Sequence, residues 1–334
     1  MIKEDKELMV SPPSFQQFDY RVRRNKSAER RMLSEAFRCL SFFEPIENYR
    51  YIGFGSTTFA DFTLFHKALN IKDMISIEKR KEFENRFEFN KPFHCVQMEY
   101  GDSNEVLPNL SWDKRTIVWL DYDGRLTGSV LKDVAFISQQ AISGNVLIIT
   151  VNAEGYRHNP KMSYKKAEKI MLDKFRKTID RAALPEDMQG KNFQGDEMAK
   201  TCRRMVFDEI KNALRGRNGL SSPENKMKFK SLFNFVYKDG ARMLTVGGIF
   251  HKFSDEETLS KCRFESLKDI LGDNEELVEI KVPVMTPREC HYLNSRLPKG
   301  ACDEAEGIGL SKDEIADYVR FYRYSPLFAE IELS

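Results

Sequence analysis

The segment Tyr49-Arg-Tyr-Ile-Gly-Phe-Gly-Ser-Thr-Thr-Phe-Ala-Asp61 decides the expected fold of this chain. Apolar residues Tyr51 and Ile52 lead into Gly53 and Gly55, and apolar side chains then recur at helical spacing. This order predicts a buried strand, a tight glycine turn and the start of a helix. Glycine lets the backbone approach a ligand closely, and a helix N-terminus offers unpaired N–H groups to it. A purely structural turn would show the same pattern.

Polar residues follow the next two predicted strands. The strand Asp73–Glu78 ends in an acid at roughly the distance from a glycine turn at which a carboxylate binds the ribose of a nucleotide. Alternatively, Glu78 is an acid favoured by a helix dipole. After the third strand, the turn Tyr100–Ser103 places Asp102 and Ser103 where an adenine amino group could be bound, although an ordinary turn is an equal alternative.

The fourth predicted strand, Thr116–Leu120, runs into Asp121-Tyr122-Asp123, and a fifth runs from Asn145 to Thr150. Strand and helix patterns alternate about five times, which predicts an α/β fold with a doubly wound, mostly parallel sheet. Such sheets bind ligands at the carboxyl ends of their strands. Two apolar runs around Lys238–Ala241 predict a closing antiparallel hairpin.

Composition sets limits on the function. The chain has 334 residues, a net charge of +2 and no apolar run long enough for a membrane span, so we expect a cytoplasmic protein without a membrane partner. Six scattered cysteines and five histidines show no metal-binding or disulfide spacing. The balanced net charge offers no overall argument for binding nucleic acid.

Two local basic segments are exceptions. Arginines and lysines crowd the first turns of a predicted helix from Phe18 to Phe43, and a second predicted helix carries basic residues from Lys165 to Lys177. Solvated helix faces are the simpler interpretation of both. The alternative for the N-terminal helix is an arm that contacts the phosphates of a nucleotide or nucleic acid.

The combined pattern resembles the class I S-adenosylmethionine-dependent methyltransferases, which have a Rossmann-like fold. The resemblance covers about residues 49–152 and, more loosely, the hairpin from Leu232 to Phe250. It implies S-adenosylmethionine as cofactor and catalysis at the end of the fourth strand. The residues it implies for cofactor binding are Gly53, Phe54, Gly55, Ser56, Glu78, Asp102 and Ser103, and those for catalysis are Asp121, Tyr122 and Asp123. The sequence departs from the family pattern where an acid normally precedes the glycines and where Ser56 or Thr57 replaces a third glycine.

A narrower resemblance is to metal-dependent O-methyltransferases of small molecules. It rests on Asp121-Tyr122-Asp123 followed by Thr150-Val151-Asn152, and it implies a Mg²⁺ ion held by Asp121, Asp123 and Asn152. Oxygen ligands of this kind suit Mg²⁺, which would help to form an oxyanion nucleophile. Thr150 stands where that family has an acid.

We therefore predict a Rossmann-like cofactor-binding domain (residues 46–154 and 229–290) with a helical N-terminal arm (1–45), a helical insertion or cap (155–228) and a C-terminal helical segment (291–334). The predicted function is methyl transfer to an oxygen, small-molecule or nucleotide acceptor. The alternatives are a catalytically degenerate sensor or scaffold in a partner complex or homo-oligomer, with overall likeness to proteins of bacterial antiviral defence, and a nucleic-acid-directed module.

Overall fold

A computed structural model describes residues 23–156, 161–180, 187–267, 271, 276–298 and 308–326. Its strands are β1 Arg50–Gly53, β2 Asp73–Glu78, β3 Val96–Tyr100, β4 Thr116–Arg125, β5 Val146–Asn152, β6 Met227–Lys238, β7 Arg242–Lys252 and β8 Val278–Glu279. Its α-helices are α1 Arg24–Arg38, α2 Ala60–Leu69, α3 Glu84–Asn90, α4 Ser103–Val106, α5 Gly128–Gln140, α6 Tyr164–Ile179, α7 Glu197–Arg217, α8 Glu256–Lys261, α9 Pro287–Asn294 and α10 Lys312–Phe321.

The eight strands form one sheet in the order β3-β2-β1-β4-β5-β7-β6-β8. Strands β1 to β5 are parallel, β7 is antiparallel to both β5 and β6, and β8 is parallel to β6. The chain starts at the centre with β1, winds outward to β3, and returns through β4 in the other direction. The reversal between β1 and β4 is the topological switch point at which open α/β sheets bind ligands. The predicted doubly wound fold with a closing hairpin is confirmed.

Consecutive residues of the central strands serve opposite faces of the sheet. Tyr51 and Trp119 belong to one apolar cluster, whereas their neighbours Ile52 and Val118 belong to another, and all four are at most 1% exposed. Because strand side chains alternate, a run that is apolar at every position is buried on both faces. The helices must therefore cover both sides of the sheet.

Helix α1 covers the first face, and its apolar residues Ala28, Met32, Leu33 and Phe37 join the cluster around Tyr51. Helices α5, α6 and α7 contribute to the cluster on the second face. Helix α7 packs along α5 and also contacts β6 and β7. The region predicted as a cap is thus anchored by α7 on one face of the sheet. The basic residues predicted on the surface of α6, including Lys165 and Lys169, are exposed.

The hairpin of β6 and β7 brings its paired glycines into close contact with two neighbouring strands. A Cβ on Gly247 would lie 2.2 Å from the carbonyl oxygen of Leu147, and one on Gly248 would lie 2.0 Å from that of Lys230. The register shifts between Ser231 and Phe233, opposite these glycines. Gly247 and Gly248 thus lie at a β-bulge where the backbones of neighbouring strands approach closely.

The C-terminal part folds back onto α1. The apolar segment from Leu277 to Met285 forms a strand with β6 only at β8, and the backbone N–H of Val282 donates to the side-chain oxygen of Asn25 at 2.7 Å. Pro283 follows and has no N–H with which to continue pairing. Beyond α10, Tyr324 donates a hydrogen bond to Glu35 of α1. No helix among the described residues combines the length and the apolar character needed to cross a membrane.

Candidate functional site

A cleft of about 540 Å³ opens at the carboxyl ends of β1, β2, β3 and β4. Its lining includes nine of the residues predicted from the sequence to form the site: Phe54, Gly55, Ser56, Glu78, Asp102, Ser103, Asp121, Tyr122 and Asp123. These residues come together because parallel strands end at the same edge of the sheet. Two predicted residues, Gly53 and Asn152, do not line the cleft.

The two glycines of the first loop make room for neighbouring aromatic side chains. A Cβ on Gly53 would lie 2.6 Å from the Tyr51 hydroxyl, and one on Gly55 would lie 2.4 Å from the ring of Phe59. Ser56 and Phe59 adopt the left-handed conformation, with φ of 53° and 46°. Gly53 was predicted to bind the cofactor, but it does not line the cleft and instead leaves room for the Tyr51 hydroxyl. Non-glycine residues in this conformation carry strain of the kind found at ligand-binding loops.

Glu78 connects the end of β2 to this loop. Its carboxylate accepts a hydrogen bond from the backbone N–H of Ser56 at 2.6 Å. Burial raises the pKa of Glu78 to about 7, against the lowering effect of that hydrogen bond. The hydroxyl oxygen of Ser56 is itself buried and has no hydrogen-bond partner among the described residues. An unpaired buried hydroxyl beside a half-buried carboxylate is suited to hold a polar ligand.

Asp133 of α5 holds in place the polar side chains that form one wall of the cleft. Its carboxylate accepts hydrogen bonds from the Tyr122 hydroxyl, the Ser103 hydroxyl and the side-chain amide of Asn104. The Tyr122 ring packs edge-on against Phe54, with centroids 5.1 Å apart. Burial raises the pKa of Tyr122 well above its ordinary range, so this phenol stays protonated. At the rim, Lys79 forms an ion pair with Asp102 at 2.7 Å.

Asp121 forms an ion pair with Lys26 at the floor of the cleft. The Lys26 ammonium of α1 lies 2.9 Å from a carboxylate oxygen of Asp121 and 2.7 Å from one of Glu29. The side chains of Lys26 and Glu29 are 2% and 0% exposed, while that of Asp121 is 26% exposed. The same ammonium sits 4.3 Å from the centroid of the Trp119 ring. An ammonium in this position holds the Asp121 carboxylate at the cleft surface.

The simpler interpretation of the N-terminal basic segment, a solvated helix face, is wrong for two of its residues. Lys26 and Arg30 are buried, and Arg30 lines the cleft. Arg31 donates to the carbonyl oxygen of Tyr324 at 3.1 Å. Arg21 and the predicted start of the helix at Phe18 lie outside the described residues.

Sequence reasoning missed several residues that build the site. They are Lys26, Glu29, Arg30, Asp61, Trp119 and Asp133. The sequence contained one indication that Lys26 and Glu29 interact. They are three residues apart, a spacing that puts both side chains on one face of a helix. That face also carries Leu33 and Phe37, which are buried in the core.

The predicted magnesium ligands do not form a set. The Asn152 side-chain oxygen accepts from the backbone N–H of Glu154 at 2.9 Å, outside the cleft. Thr150 accepts from the Trp119 indole at 2.9 Å, and Asp121 is already paired with Lys26. Within the described ranges, no group of three histidine, cysteine, aspartate or glutamate residues is arranged to hold a metal ion. The donors present therefore do not fit a divalent cation.

Residues 18–333 match the model of a protein family described as "Putative O-methyltransferase". None of the curated proteins matches the chain by sequence.

Three of the solved structures that match this chain are as follows. For Trm1 from Pyrococcus horikoshii with S-adenosyl-L-methionine, the identity is 10%, the coverage is 69% of this chain and 58% of that chain, and the TM-score is 0.41. For human N-acetylserotonin methyltransferase in complex with SAM, the identity is 10%, the coverage is 69% of this chain and 57% of that chain, and the TM-score is 0.33. For LepI in complex with SAM, the identity is 9%, the coverage is 62% of this chain and 44% of that chain, and the TM-score is 0.32. The chain thus spans about half the length of these proteins.

Proposed function

The chain belongs to the "Putative O-methyltransferase" family, and from that premise we propose that it transfers a methyl group from S-adenosylmethionine to a hydroxyl oxygen of an acceptor. The observation that carries the proposal is the convergence of Glu78, Asp102 and Asp121 on one cleft. Glu78 ends β2, Asp102 lies just beyond β3, and Asp121 lies within β4. All three are near the switch point of the sheet.

The residues present fit the proposed cofactor. The Glu78 carboxylate can accept hydrogen bonds from a ribose diol, and Asp102 with Ser103 lies at the neighbouring strand end, where an adenine would be bound. Ser56 has a buried hydroxyl with no partner among the described residues, and the backbone of Gly55 lines the cleft beside it. These groups would hold the nucleoside along the carboxyl edge of the sheet.

Bound S-adenosylmethionine supplies an electrophilic methyl group. Asp121 lies at the cleft surface, where it can accept a hydrogen bond from the acceptor hydroxyl and take its proton as the oxygen attacks the methyl carbon. The bond from oxygen to carbon forms as the carbon–sulfur bond breaks, which leaves S-adenosylhomocysteine. Such an in-line displacement depends mainly on alignment of the two partners, and Lys26 keeps Asp121 in place for it.

The other two residues predicted to be catalytic take different roles in this proposal. Tyr122 forms the wall, because its hydroxyl donates to Asp133 and its ring packs on Phe54. Asp123 lines the more exposed mouth of the cleft, where it can bind the acceptor. No step passes through Mg²⁺, because Lys26 supplies the positive charge beside Asp121.

Calorimetry with S-adenosylhomocysteine tests the cofactor site. We expect the wild type to bind and Glu78→Ala to bind at least about tenfold more weakly, since a charged hydrogen bond is lost. Glu88→Ala, at an exposed position on α3, is the matched control and should bind as the wild type does. A folded wild-type protein that does not bind S-adenosylhomocysteine would disprove the proposal.

Transfer itself is measured with methyl-labelled S-adenosylmethionine and a panel of hydroxylated acceptors. Asp121→Asn should keep the affinity for S-adenosylhomocysteine and lose most of the transfer, because an amide does not take up the acceptor proton. Equal transfer by this variant would remove Asp121 from the proposed mechanism.

A further inference from the structure

Five charged side chains interact with one another at the floor of the cleft. Helix α1 contributes Lys26, Glu29 and Arg30, helix α2 contributes Asp61, and β4 contributes Asp121. The first four are 1%, 0%, 8% and 9% exposed, and Asp121 is intermediate. Arg30, Asp61 and Asp121 line the cleft directly. We call this group the floor network.

The floor network carries more negative than positive charge. Lys26 lies between Glu29 and Asp121, at 2.7 and 2.9 Å. Arg30 interacts electrostatically with Asp61, which also accepts a hydrogen bond from the Tyr51 hydroxyl. Three carboxylates therefore face two cations, which gives one net negative charge when all five groups are ionised.

A buried surplus charge is costly, because a low-dielectric interior stabilises it poorly. Burial raises the pKa of Glu29 and of Asp61, and in both cases the charge of Asp121 raises it further. The groups that face Glu29 from other elements are Asp121, Thr245 of β7 and Tyr237 of β6. Tyr237 is a neutral phenol, because burial raises its pKa, and Thr245 is uncharged. Among the described residues, Lys26 and Arg30 are thus the positive charges of the network.

We propose that the floor network selects a cationic ligand, and that Glu29 gives the cleft its preference for the positively charged sulfonium of S-adenosylmethionine over the uncharged thioether of S-adenosylhomocysteine. The proposal rests on the proposed function. A cation in the cleft supplies the positive charge that the network lacks. Exposed charges at the mouth, such as Lys79 and Asp102, contribute less because water and salt screen them.

Glu29 is the informative residue for a test, because it does not line the cleft. Replacing it with glutamine removes one negative charge without changing a group that can touch the ligand. The network then holds two acids and two cations, so its net charge is zero. A change in ligand preference would consequently reflect charge rather than a lost contact.

The experiment compares three ligands by calorimetry: S-adenosylmethionine, S-adenosylhomocysteine, and sinefungin, which carries an amine in place of the methylated sulfur. In Glu29→Gln, the ratio of the S-adenosylhomocysteine Kd to the S-adenosylmethionine Kd should fall on the order of tenfold, as expected when one nearby charge is removed. The Kd of sinefungin should change in the variant in the same direction as the Kd of S-adenosylmethionine. The control Glu257→Gln makes the same charge change at an exposed site and should leave the ratio unchanged.

The pH gives a second readout. Protons and the cationic ligand compete for the carboxylates of the floor network. The ratio of the S-adenosylhomocysteine Kd to the S-adenosylmethionine Kd should therefore rise with pH in the wild type. It should rise less in Glu29→Gln, which has one titratable carboxylate fewer. If Glu29→Gln does not fold, Asp61→Asn makes the same charge change on α2 and retains a side-chain oxygen to accept from Tyr51.

The outcomes separate this inference from the proposed function. A folded wild type that binds none of the three ligands would disprove both. Binding with a Kd ratio that is the same in wild type and variant, or a sinefungin response that follows S-adenosylhomocysteine, would disprove only the role of the floor network. A ratio that falls in the variant together with a matching response of sinefungin would support it.

Discussion

The ammonium nitrogen of Lys26 lies 2.9 Å from a carboxylate oxygen of Asp121, and this contact joins the N-terminal helix α1 to the end of β4. The pair closes the floor of the cleft beneath Trp119, whose ring contacts the same ammonium. Helix α1 is therefore part of the site as well as part of the core. The position of Asp121 depends on a residue far from it in the sequence.

Removing the Lys26 charge should strongly destabilise the protein. In Lys26→Met, the carboxylates of Glu29 and Asp121 lose their shared cation, and removal of one partner from a buried pair costs about 3–5 kcal/mol. Urea denaturation followed by circular dichroism measures the loss. Lys261→Met, at an exposed ion pair, should change stability by less than about 1 kcal/mol.

The same measurement can show whether the stability lost in Lys26→Met comes from uncompensated charge or from poorer packing. Adding Glu29→Gln to Lys26→Met removes one of the two uncompensated carboxylates and should recover part of the lost stability. If the double variant is no more stable than Lys26→Met, the loss arises from packing rather than from charge.

A methyl group at position 55 should disturb the first loop. In Gly55→Ala the new Cβ would lie 2.4 Å from the Phe59 ring and 2.7 Å from the Ser76 hydroxyl, so the loop must shift. We expect a loss of about 1–3 kcal/mol in unfolding free energy, together with weaker binding of S-adenosylhomocysteine.

Gly216→Ala is the matched control for that variant. Gly216 lies in α7, and a Cβ there would meet no heavy atom within 4 Å. Alanine at this position should leave the cleft unchanged and stabilise the helix by up to about 1 kcal/mol. Tight ligand binding by Gly55→Ala would show that the loop tolerates the side chain.

Glu78 should make the stability of the ligand-free protein depend on pH. Its pKa is raised from 4.5 to about 7 in the folded state, so the folded protein binds this proton more tightly than the unfolded chain does. The resulting stabilisation is present below pH 4.5 and is lost as the pH rises towards 7.

Glu78→Gln removes this titration. Between pH 4.5 and 7, the wild type should therefore lose on the order of 1–3 kcal/mol more stability than the variant does. Urea midpoints at several pH values, without ligand, give the comparison. Parallel pH profiles of the two proteins would contradict the assignment.

Asp133 should affect ligand binding without touching the ligand. The Asp133 carboxylate accepts hydrogen bonds from Tyr122, Ser103 and Asn104. In Asp133→Asn, the NH2 group replaces one of the accepting oxygens, so at least one of these donors loses its acceptor. We expect about 1–3 kcal/mol lower stability and roughly tenfold weaker binding of S-adenosylhomocysteine. Asp173→Asn, at an exposed position on α6, should change neither quantity.

Much of the site could be predicted because its signals are local. Each strand of the parallel sheet is a short apolar run, and the residue that follows it reaches the ligand-binding edge whatever the rest of the chain does. Glu78, Asp102 and Asp121 could be placed on this basis. The glycine turn was also local, although only the packing showed that Gly53 and Gly55 accommodate Tyr51 and Phe59.

Burial depends on packing between distant parts of the chain, and so it was decided by the tertiary structure. From the sequence, Lys26 and Arg30 were expected to be surface charges, yet α1 packs on the sheet and places them at the floor of the cleft. Asn152 is the last residue of β5, but its side chain accepts from the backbone N–H of Glu154 and does not meet Asp121. The sequence by itself determined the order of strands and helices and the residues at the strand ends, because these follow from local periodicity. Only the tertiary structure decided which charges share the cleft floor, because an ion pair between α1 and β4 exists only after both have packed.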